Sequence, residues 1–365
     1  MVYTVNLLLI LIWNILCKPT TNKGKKCFLF LSFIQLFCLS TFRSYSVGYD
    51  SLNYYKIYIS VSKMDLNTAL KTSWIEPGYI LLNKLAYWIG GEDYRILWAM
   101  CSLLVLIPSL YFIYRYSSNV FCSICVYICF GYYYASMNQI RQLISVSICL
   151  LGFITFVEKK YIKTVITIMI AISFHNSAII FVALLCISVF AKYINRGTIF
   201  LSITAMVYIY LNFTEILRFV TRYYDKFNRY FVDASKSIHL TRNFSLYTLV
   251  YLPVLFIAFY VFFHEPNLFK ENKVFSLQLW AIMLAEIILF LSLKMHILSR
   301  FALYFEIYTC TLLPNLYQSF AKGRYRKLLN AILAIALISI NYYGLFIANN
   351  HGGKAGIVPY VLMKP

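Results

Sequence analysis

Long apolar stretches recur along the chain from end to end, and they constrain its fold more than any other feature. They lie near residues 2–17, 27–42, 96–114, 119–136, 139–157, 161–174, 176–191, 197–213, 244–263, 274–293, 300–318 and 328–346. A composition of 61% hydrophobic and only 13% charged residues excludes a soluble domain of this length. Because apolar stretches of this kind match the thickness of a bilayer, we predict an all-α, polytopic integral membrane protein with about 12 transmembrane helices. Residues 1–365 are expected to form a single membrane domain.

The cysteines and the N-terminus add two expectations. None of the ten cysteines lies in a polar loop outside the predicted spans, and Cys122, Cys125 and Cys129 have no neighbouring cluster of His or Asp residues. We therefore expect these thiols to pack helices, and we expect neither a metal site nor a disulfide framework. No basic segment precedes Val2–Leu16 and no small-residue cleavage site follows, which indicates a first span rather than a signal peptide.

Basic residues in the short loops orient the chain. They form three clusters, which contain Lys18, Lys23, Lys25 and Lys26; Lys159, Lys160 and Lys163; and Lys322, Arg324, Arg326 and Lys327. The positive-inside rule places such clusters in the cytoplasm, with both termini outside. The Asn138–Arg141 turn, His175, Arg300 and the two long polar stretches then also lie outside. The net charge of +20 fits loops that face anionic lipid and a site for an acidic substrate, not nucleic acid.

Residues 161–193 are short for two membrane crossings. A short hairpin that turns at His175-Asn176-Ser177 agrees with the lysines before it and with Lys192 and Arg196 after it. A single tilted span is the alternative, and it would reverse the orientation of everything downstream.

Arg141 is the most informative residue of the chain. On a helix, Asn138, Arg141 or Gln142, Ser145 and Cys149 recur at steps of three and four residues and form one polar stripe. An arginine at mid-helix in a membrane costs about 2.5–3.5 kcal/mol, so it is expected to face a wet, protein-lined cavity. We interpret Arg141 as the anion-binding centre of a site. The alternative is an arginine that snorkels to the interface beside a capping asparagine.

The first long polar stretch, 43–95, is predicted to be an outer loop with an interfacial helix over residues 80–89. Pro77 suits the first turn of that helix, and Glu76 then lies at the positive end of the helix dipole. Three residues of this loop are candidates for function, each with a structural alternative. Arg43 alternatively ends a span at the interface, Asp50 alternatively forms a turn after Gly48, and Glu76 alternatively caps the helix.

The second long polar stretch, 214–243, is a second outer loop in which tyrosines alternate with cations such as Arg222 and Arg229. Aromatic faces pack on sugar rings and guanidinium groups bind phosphate oxygens, so this pattern suits a glycan attached to phosphate. A solvated basic surface helix is the alternative.

Five short motifs occur in order among these spans. They are Gly48-Tyr-Asp50 followed by Tyr54-Tyr55; Glu76-Pro-Gly-Tyr79 with Leu82-Asn83; Asn138-Gln-Ile-Arg141-Gln142; Phe174-His175-Asn-Ser177; and Arg300-Phe-Ala-Leu-Tyr304-Phe305. Over about residues 40–320 the chain thereby resembles the EpsG family of Wzy-like polysaccharide polymerases, and Val358-Pro-Tyr360 is similar to the family's tail. Tyr49 stands where the family often has Thr, and Ser145 stands where Ala is usual, but neither change removes a charged group.

The resemblance implies a GT-C-like architecture and a glycosyltransferase of bacterial exopolysaccharide, capsule or O-antigen synthesis. Such enzymes transfer a growing glycan from polyprenyl diphosphate onto the non-reducing end of a lipid-linked repeat unit. The diphosphate requires fixed cations, and the acceptor hydroxyl requires a proton acceptor. Glu76 and His175 are placed slightly ahead of Asp50 as that acceptor, because Asp50 alternatively orients an arginine. The candidate substrate-binding residues are Arg43, Asn138, Arg141, Gln142, Arg222, Arg300 and Tyr304.

No cofactor, nucleotide or metal is expected, since the chain contains neither a Gly-rich phosphate loop nor a metal-binding carboxylate cluster. The expected partners are lipid-linked oligosaccharides, membrane lipids and a chain-length regulator protein. A flippase for the same lipid-linked units, a glycan ligase and a membrane acyltransferase are the alternatives. A flippase should carry polar residues along its whole path and show two related halves, whereas the ionisable candidates of this chain gather on one face.

Overall fold

The computed structural model describes residues 1–188, 196–223, 250–320, 325–347 and 355–363. These residues form helices joined by short connections, together with an isolated β-bridge between Arg43 and Leu362. The helices are α1 (Val2–Cys17), α2 (Asn22–Thr41), α3 (Ser51–Lys63), α4 (Leu66–Thr72), α5 (Pro77–Gly90), α6 (Tyr94–Tyr116), α7 (Val120–Cys129), α8 (Tyr132–Asn138), α9 (Ile140–Val157), α10 (Tyr161–Phe174), α11 (Phe181–Ile187), α12 (Arg196–Leu211), α13 (Phe213–Tyr223), α14 (Leu252–His264), α15 (Pro266–Glu271), α16 (Lys273–Ser292), α17 (Ser299–Glu306), α18 (Thr309–Phe320) and α19 (Arg326–Tyr342).

Five helical segments of the described residues are long and apolar enough to cross a membrane: α2, α6, α9, α16 and Arg326–Ile347, which extends α19. A sixth is reached if α7 and α8, bent by 45° at Gly131, count as one broken span. Every predicted apolar stretch contains at least one described helix, which is consistent with the predicted polytopic membrane protein. The predicted count of about twelve spans is not confirmed, because α1, α10, α12 and α14 are shorter apolar helices and others are broken.

The contacts within the chain group it into two compact units. The first contains Met1–Ile179 and Leu313–Pro365, and the second contains Ile180–Leu312. Each is described separately here.

In the first unit, α2 packs on α6, α6 on α9, and α9 on α10. Contacts between side chains show which of these helices run parallel and which run antiparallel. Ser102 of α6 donates to the Ser40 hydroxyl of α2 at 2.7 Å, whereas Lys26 and Tyr114 line one cavity at the other ends of these helices. Ser109 of α6 lies 3.2 Å from Ser147 of α9, and Arg115 at the end of α6 pairs with Glu158 at the end of α9, so α6 and α9 run in parallel with α2 reversed.

Helices α9 and α10 form an antiparallel hairpin. Ser145 Oγ donates to the Ala171 carbonyl at 2.7 Å, and the Thr155 and Thr164 hydroxyls lie 3.0 Å apart nearer the turn. Glu158 and Lys160 are in that turn, where Glu158 also pairs with Arg115 at the end of α6. One end of the bundle therefore carries basic groups, and the start of α9 and the end of α10 lie together at the opposite end.

The stretch 43–95 differs from the predicted loop because it contains three helices, α3, α4 and α5. Helix α3 buries Tyr54, Tyr58 and Val61, whose spacing follows one helical face. Helix α5 begins with Pro77 as expected and packs on α6 and α10 through its buried face. Near the start of this stretch, the tail 355–363 is held by backbone hydrogen bonds from Ser44 N to Val361 O and from Met363 N to Phe42 O.

In the second unit, α16 is the central helix, against which α11, α12, α14 and α17 pack. Gln278 of α16 donates to Thr311 Oγ1 at 2.9 Å, and Tyr251 donates to Glu306 at 2.9 Å. Of the predicted second outer loop, residues 214–223 belong to α13, while residues 224–243 lie outside the described part of the chain.

Candidate active site

Glu76 is the N-cap residue of α5, but its carboxylate does not cap the helix. Its backbone carbonyl accepts from the amides of Tyr79 and Ile80, each at 3.1 Å, and no side-chain cap hydrogen bond forms. Pro77 at the first helical position lacks an N–H that would need a partner. The carboxylate of Glu76, which is only 8% exposed, is therefore available for other partners.

Those partners are Arg141 and His175, and we call the three residues the Glu76 cluster. Glu76 Oε2 forms an ion pair with Arg141 Nη1. Glu76 Oε1 lies 2.9 Å from His175 Nδ1 and also accepts a longer hydrogen bond of 3.4 Å from the Asn176 amide. The two highest-ranked catalytic candidates and the predicted anion-binding arginine thus meet on one carboxylate, although they lie far apart in sequence.

The α9–α10 hairpin explains how Arg141 and His175 become neighbours. Arg141 lies in the first turn of α9, and His175 follows the last residue of α10 in an extended conformation with φ −159° and ψ 120°. Because the two helices are antiparallel, these positions lie at the same end of the hairpin. The helix ends at Phe174, so residues 161–187 do not form one continuous helix.

Gly78 explains how Glu76 reaches the same place. It lies in the first turn of α5, where a Cβ atom would be 2.5 Å from Ser173 Oγ and 2.8 Å from the Ser173 carbonyl oxygen. Contacts this short mean that only glycine allows α5 to approach the end of α10 so closely. The close approach places Glu76 beside His175.

Replacing Gly78 with alanine is expected to force α5 away from α10. We expect a loss of stability of about 1–3 kcal/mol from overpacking, together with a separation of Glu76 from His175. Thermal unfolding in detergent measures the loss of stability. Leu81→Ala, on an exposed position of the same helix, is the control that should leave the unfolding temperature unchanged. A wild-type unfolding temperature for Gly78→Ala would contradict the importance of this contact.

The protonation of the cluster follows from its contacts. Burial raises the pKa of the Glu76 carboxyl, but the hydrogen bond from His175 and the charge of Arg141 outweigh it, so the pKa lies below its usual value. An ionised carboxylate only accepts hydrogen bonds, so Nδ1 of His175 must be the donor. A neutral His175 then carries its lone pair on Nε2, on the side of the ring away from Glu76.

Two aromatic rings surround the guanidinium group of Arg141. Its central carbon lies 4.8 Å from the ring centroid of Trp74 and 5.9 Å from that of Tyr54, both within the range of cation–π attraction. The Nε atom of Arg141 is buried and makes no hydrogen bond to any residue that the structure describes. Buried polar atoms of this kind are rare and often mark a place for a ligand or water.

Arg43 has protein partners on both terminal nitrogens. Nη1 donates to the carbonyl and hydroxyl oxygens of Ser40, and Nη2 donates to the Met137 carbonyl at 3.3 Å. Its guanidinium carbon lies 5.0 Å from the Trp98 ring, and the residue is only 2% exposed. These hydrogen bonds join Arg43 to the end of α2 and to the residue just before Asn138.

Asn138 and Asp50 meet beside this contact. The Asp50 amide donates to Asn138 Oδ1 at 2.8 Å, and the Ser51 hydroxyl donates to the Met137 carbonyl at 2.9 Å. The side chain of Asp50 does not cap α3. Asn138 therefore connects the loop before α3 to the break between α8 and α9, which leads into Arg141.

The predicted polar stripe is split by that break. Asn138 ends α8, Gln139 lies between the helices, and α9 begins at Ile140, so Asn138 and Arg141 are not on one helix. Gln142 is buried in α9, and Ser145 is used in the packing against α10.

The remaining predicted site residues lie in the second unit. Arg300 is exposed in the first turn of α17, and Tyr304 is buried four residues later in that helix. Arg222 lies at the end of α13, and its side chain is outside the described part of the structure. Among the described residues, no group of three or more His, Cys, Asp or Glu side chains is arranged to hold a metal ion.

The sequence analysis did not single out Trp74 or Gly78 as site residues. Trp74 carries a usable signal in the sequence, because a tryptophan two residues before a candidate carboxylate is unusual in a polar connection. Gly78 has no local signal apart from its place in the motif, since its close contact is with a residue 95 positions away.

No curated protein and no solved structure matches the chain significantly. A model of the family described as the EpsG family matches residues 26–362. The match covers almost all of the chain and includes every residue of the Glu76 cluster, and it confirms the resemblance read from the motifs. The chain therefore belongs to the EpsG family.

Proposed function

We propose that this protein is a polysaccharide polymerase of the bacterial cytoplasmic membrane. It transfers a growing glycan from polyprenyl diphosphate onto the non-reducing end of a lipid-linked repeat unit at the outer face. Membership of the EpsG family supports a polymerase of exopolysaccharide or O-antigen type. The single observation that carries the proposal is the Glu76 cluster, in which one carboxylate holds both a histidine and an arginine.

His175 is the proton acceptor in this proposal, and Glu76 orients it. Glu76 accepts hydrogen bonds from Arg141, His175 and the Asn176 amide, and its pKa is lowered, so it is a poor base. Its hydrogen bond to Nδ1 instead leaves Nε2 of His175 free to accept a proton, which is the arrangement of a carboxylate and a histidine in hydrolase triads.

Arg141 binds the leaving group. As the acceptor oxygen forms a bond to the anomeric carbon, the bond from that carbon to the diphosphate oxygen breaks and its electron pair remains on the diphosphate. The proton of the acceptor hydroxyl passes to His175 Nε2. A guanidinium group stays charged at any relevant pH, and the unpartnered Nε of Arg141 supplies a donor for a phosphate oxygen.

The directions of the helices in the first unit support an outer location for the Glu76 cluster. The Glu76 cluster lies at the end of the α9–α10 hairpin opposite the turn that contains Lys159 and Lys160. If that basic turn is cytoplasmic, the cluster faces outward, where lipid-linked repeat units are polymerised. Both termini are then outside.

Cysteine labelling tests this orientation. In a background in which the exposed Cys27, Cys38 and Cys186 are replaced by serine, Ser46→Cys should react with a membrane-impermeant thiol reagent in intact cells. Lys23→Cys should react only after the membrane is permeabilised. Both introduced positions are exposed, so failure to label reflects the membrane and not burial. Labelling of Lys23→Cys with protection of Ser46→Cys would reverse the orientation.

The substrates that accumulate in a deletion strain test the function. Cells without the protein should lose polymer and accumulate single repeat units on the lipid carrier, already at the outer face or capped onto the final acceptor. A glycosidase added to spheroplasts should therefore digest these units, and the plasmid-borne wild-type gene should restore polymer. Units that the glycosidase cannot reach would support the alternative function of a flippase, and unchanged polymer would contradict the proposal.

A further inference from the structure

A small cavity opens beside the Glu76 cluster, between α3 and the connection from α4 to α5. Its volume is about 340 Å³, and its lining includes Lys56, Ser60, Met64, Ser73 and Trp74. This volume lies at the lower end of the range of about 300–1,000 Å³ that is typical of small-ligand sites. Trp74 joins the cavity to the cluster, because its ring also contacts the guanidinium of Arg141.

The residues of the cavity combine two features that suit a sugar. Trp74 is 75% exposed, and an exposed indole offers a flat apolar surface on which the C–H face of a sugar ring packs. Ser60 and Ser73 supply hydroxyls that donate or accept hydrogen bonds.

Lys56 adds a charge preference. It is exposed on α3 and, among the described residues, has no carboxylate within ion-pair distance. Two other lysines of this region are engaged, since Lys63 pairs with Glu92 at 2.6 Å and Lys84 donates to the Ser62 carbonyl at 2.9 Å. A lysine that lines a cavity without a partner favours a negatively charged ligand.

We propose that this cavity is a sugar subsite that binds a glycan residue bearing a carboxylate, with Trp74 stacking on the ring and Lys56 pairing with the carboxylate. The inference rests on the proposed function and names the substrate class of the same site. In this proposal the repeat unit is an acidic glycan, and the subsite positions one of its sugars beside Arg141 and His175.

Saturation-transfer NMR on the full-length protein in lipid nanodiscs tests the subsite. The probes are methyl β-glucuronide and methyl β-glucoside, of which only the glucuronide carries a carboxylate. The wild type should bind the glucuronide about tenfold more tightly than the glucoside, because a hydrogen bond to a charged group contributes about that much. Lys56→Gln should reduce glucuronide binding to the level of the glucoside, and Trp74→Ala should abolish the binding of both.

Matched controls come from the same region. Lys71→Gln and Trp88→Ala change exposed residues on α4 and α5 that do not line the cavity, and they should bind both probes as the wild type does. A wild type without preference for the glucuronide, or a preference that survives Lys56→Gln, would overturn the proposal. So would unchanged binding to Trp74→Ala.

The outcomes separate this inference from the proposed function. Binding that depends on Trp74 and Lys56, in a protein whose deletion leaves polymer unchanged, would keep the subsite and remove the polymerase. Loss of polymer on deletion without such binding would remove the subsite alone.

Discussion

His175→Gln is expected to reduce polymerisation about 10²–10⁴-fold, which is the usual contribution of a general base. Glutamine fills a similar volume and can still donate to Glu76, but it offers no basic nitrogen to the acceptor hydroxyl. The measurement is the rate of polymer formation in membrane vesicles supplied with purified lipid-linked repeat units. Arg141 keeps its partner Glu76 in this variant, so binding of the lipid-linked substrate should be retained.

Glu76→Gln separates the two candidates for the base. If Glu76 orients His175, its amide variant should lose activity by a comparable factor, because an amide can present its N–H₂ group to His175 and change which ring nitrogen is protonated. If Glu76 were the base itself, Glu76→Gln would be inactive while His175→Gln kept partial activity. His264→Gln is the control, since His264 is exposed at the end of α14, where it contacts the carbonyl and stacks on the ring of Tyr260 in its own helix.

Arg141→Lys is the second variant with a large expected effect. Lysine keeps the positive charge but loses the planar fork, and we expect polymer synthesis to fall about 10²–10³-fold, as on removal of a donor that stabilises developing negative charge. The level of inserted protein should be unchanged, because the charge opposite Glu76 remains. Polymer chain length and yield, normalised to the amount of protein in the membrane, measure the effect.

Arg115→Lys is the matched control for this variant. Arg115 also pairs with a glutamate, Glu158 at 2.8 Å, but its ion pair lies at the opposite end of the first unit and is partly exposed. Exposed pairs contribute about 0–1 kcal/mol, so this variant should polymerise normally. Wild-type polymer levels from Arg141→Lys and Arg141→Ala would show that Arg141 does not bind the diphosphate.

Arg43 illustrates how tertiary structure changes the interpretation of a predicted residue. Its charge and its position at the end of a span suggested a phosphate contact. In the structure its two terminal nitrogens are engaged by Ser40 and Met137 and its guanidinium lies over the Trp98 ring, while its buried Nε makes no hydrogen bond to any described residue. We therefore propose that Arg43 positions the segment before Arg141, and that substrate phosphate contacts Arg141 first.

The sequence alone determined the helical membrane class, the positions of the long apolar helices and the basic loop between α9 and α10. These properties are local, because a run of apolar residues forms a helix in lipid wherever it lies, and the effect of lysines in a short loop depends on that loop alone. The sequence also singled out Glu76, Arg141 and His175 as separate candidates. It did not show that they share one contact, and it missed α3, whose aromatic face lies in a polar context, and the short helix α4.

Only the tertiary structure decided which of these residues meet. Glu76 is 65 residues from Arg141 and 99 residues from His175, and nothing local records their contact. That contact depends on the register of the α9–α10 hairpin and on the lack of a side chain at Gly78, which lets α5 approach Ser173. Packing between distant segments is cooperative, so the chemistry of the site follows from close fit that no single stretch of the sequence specifies.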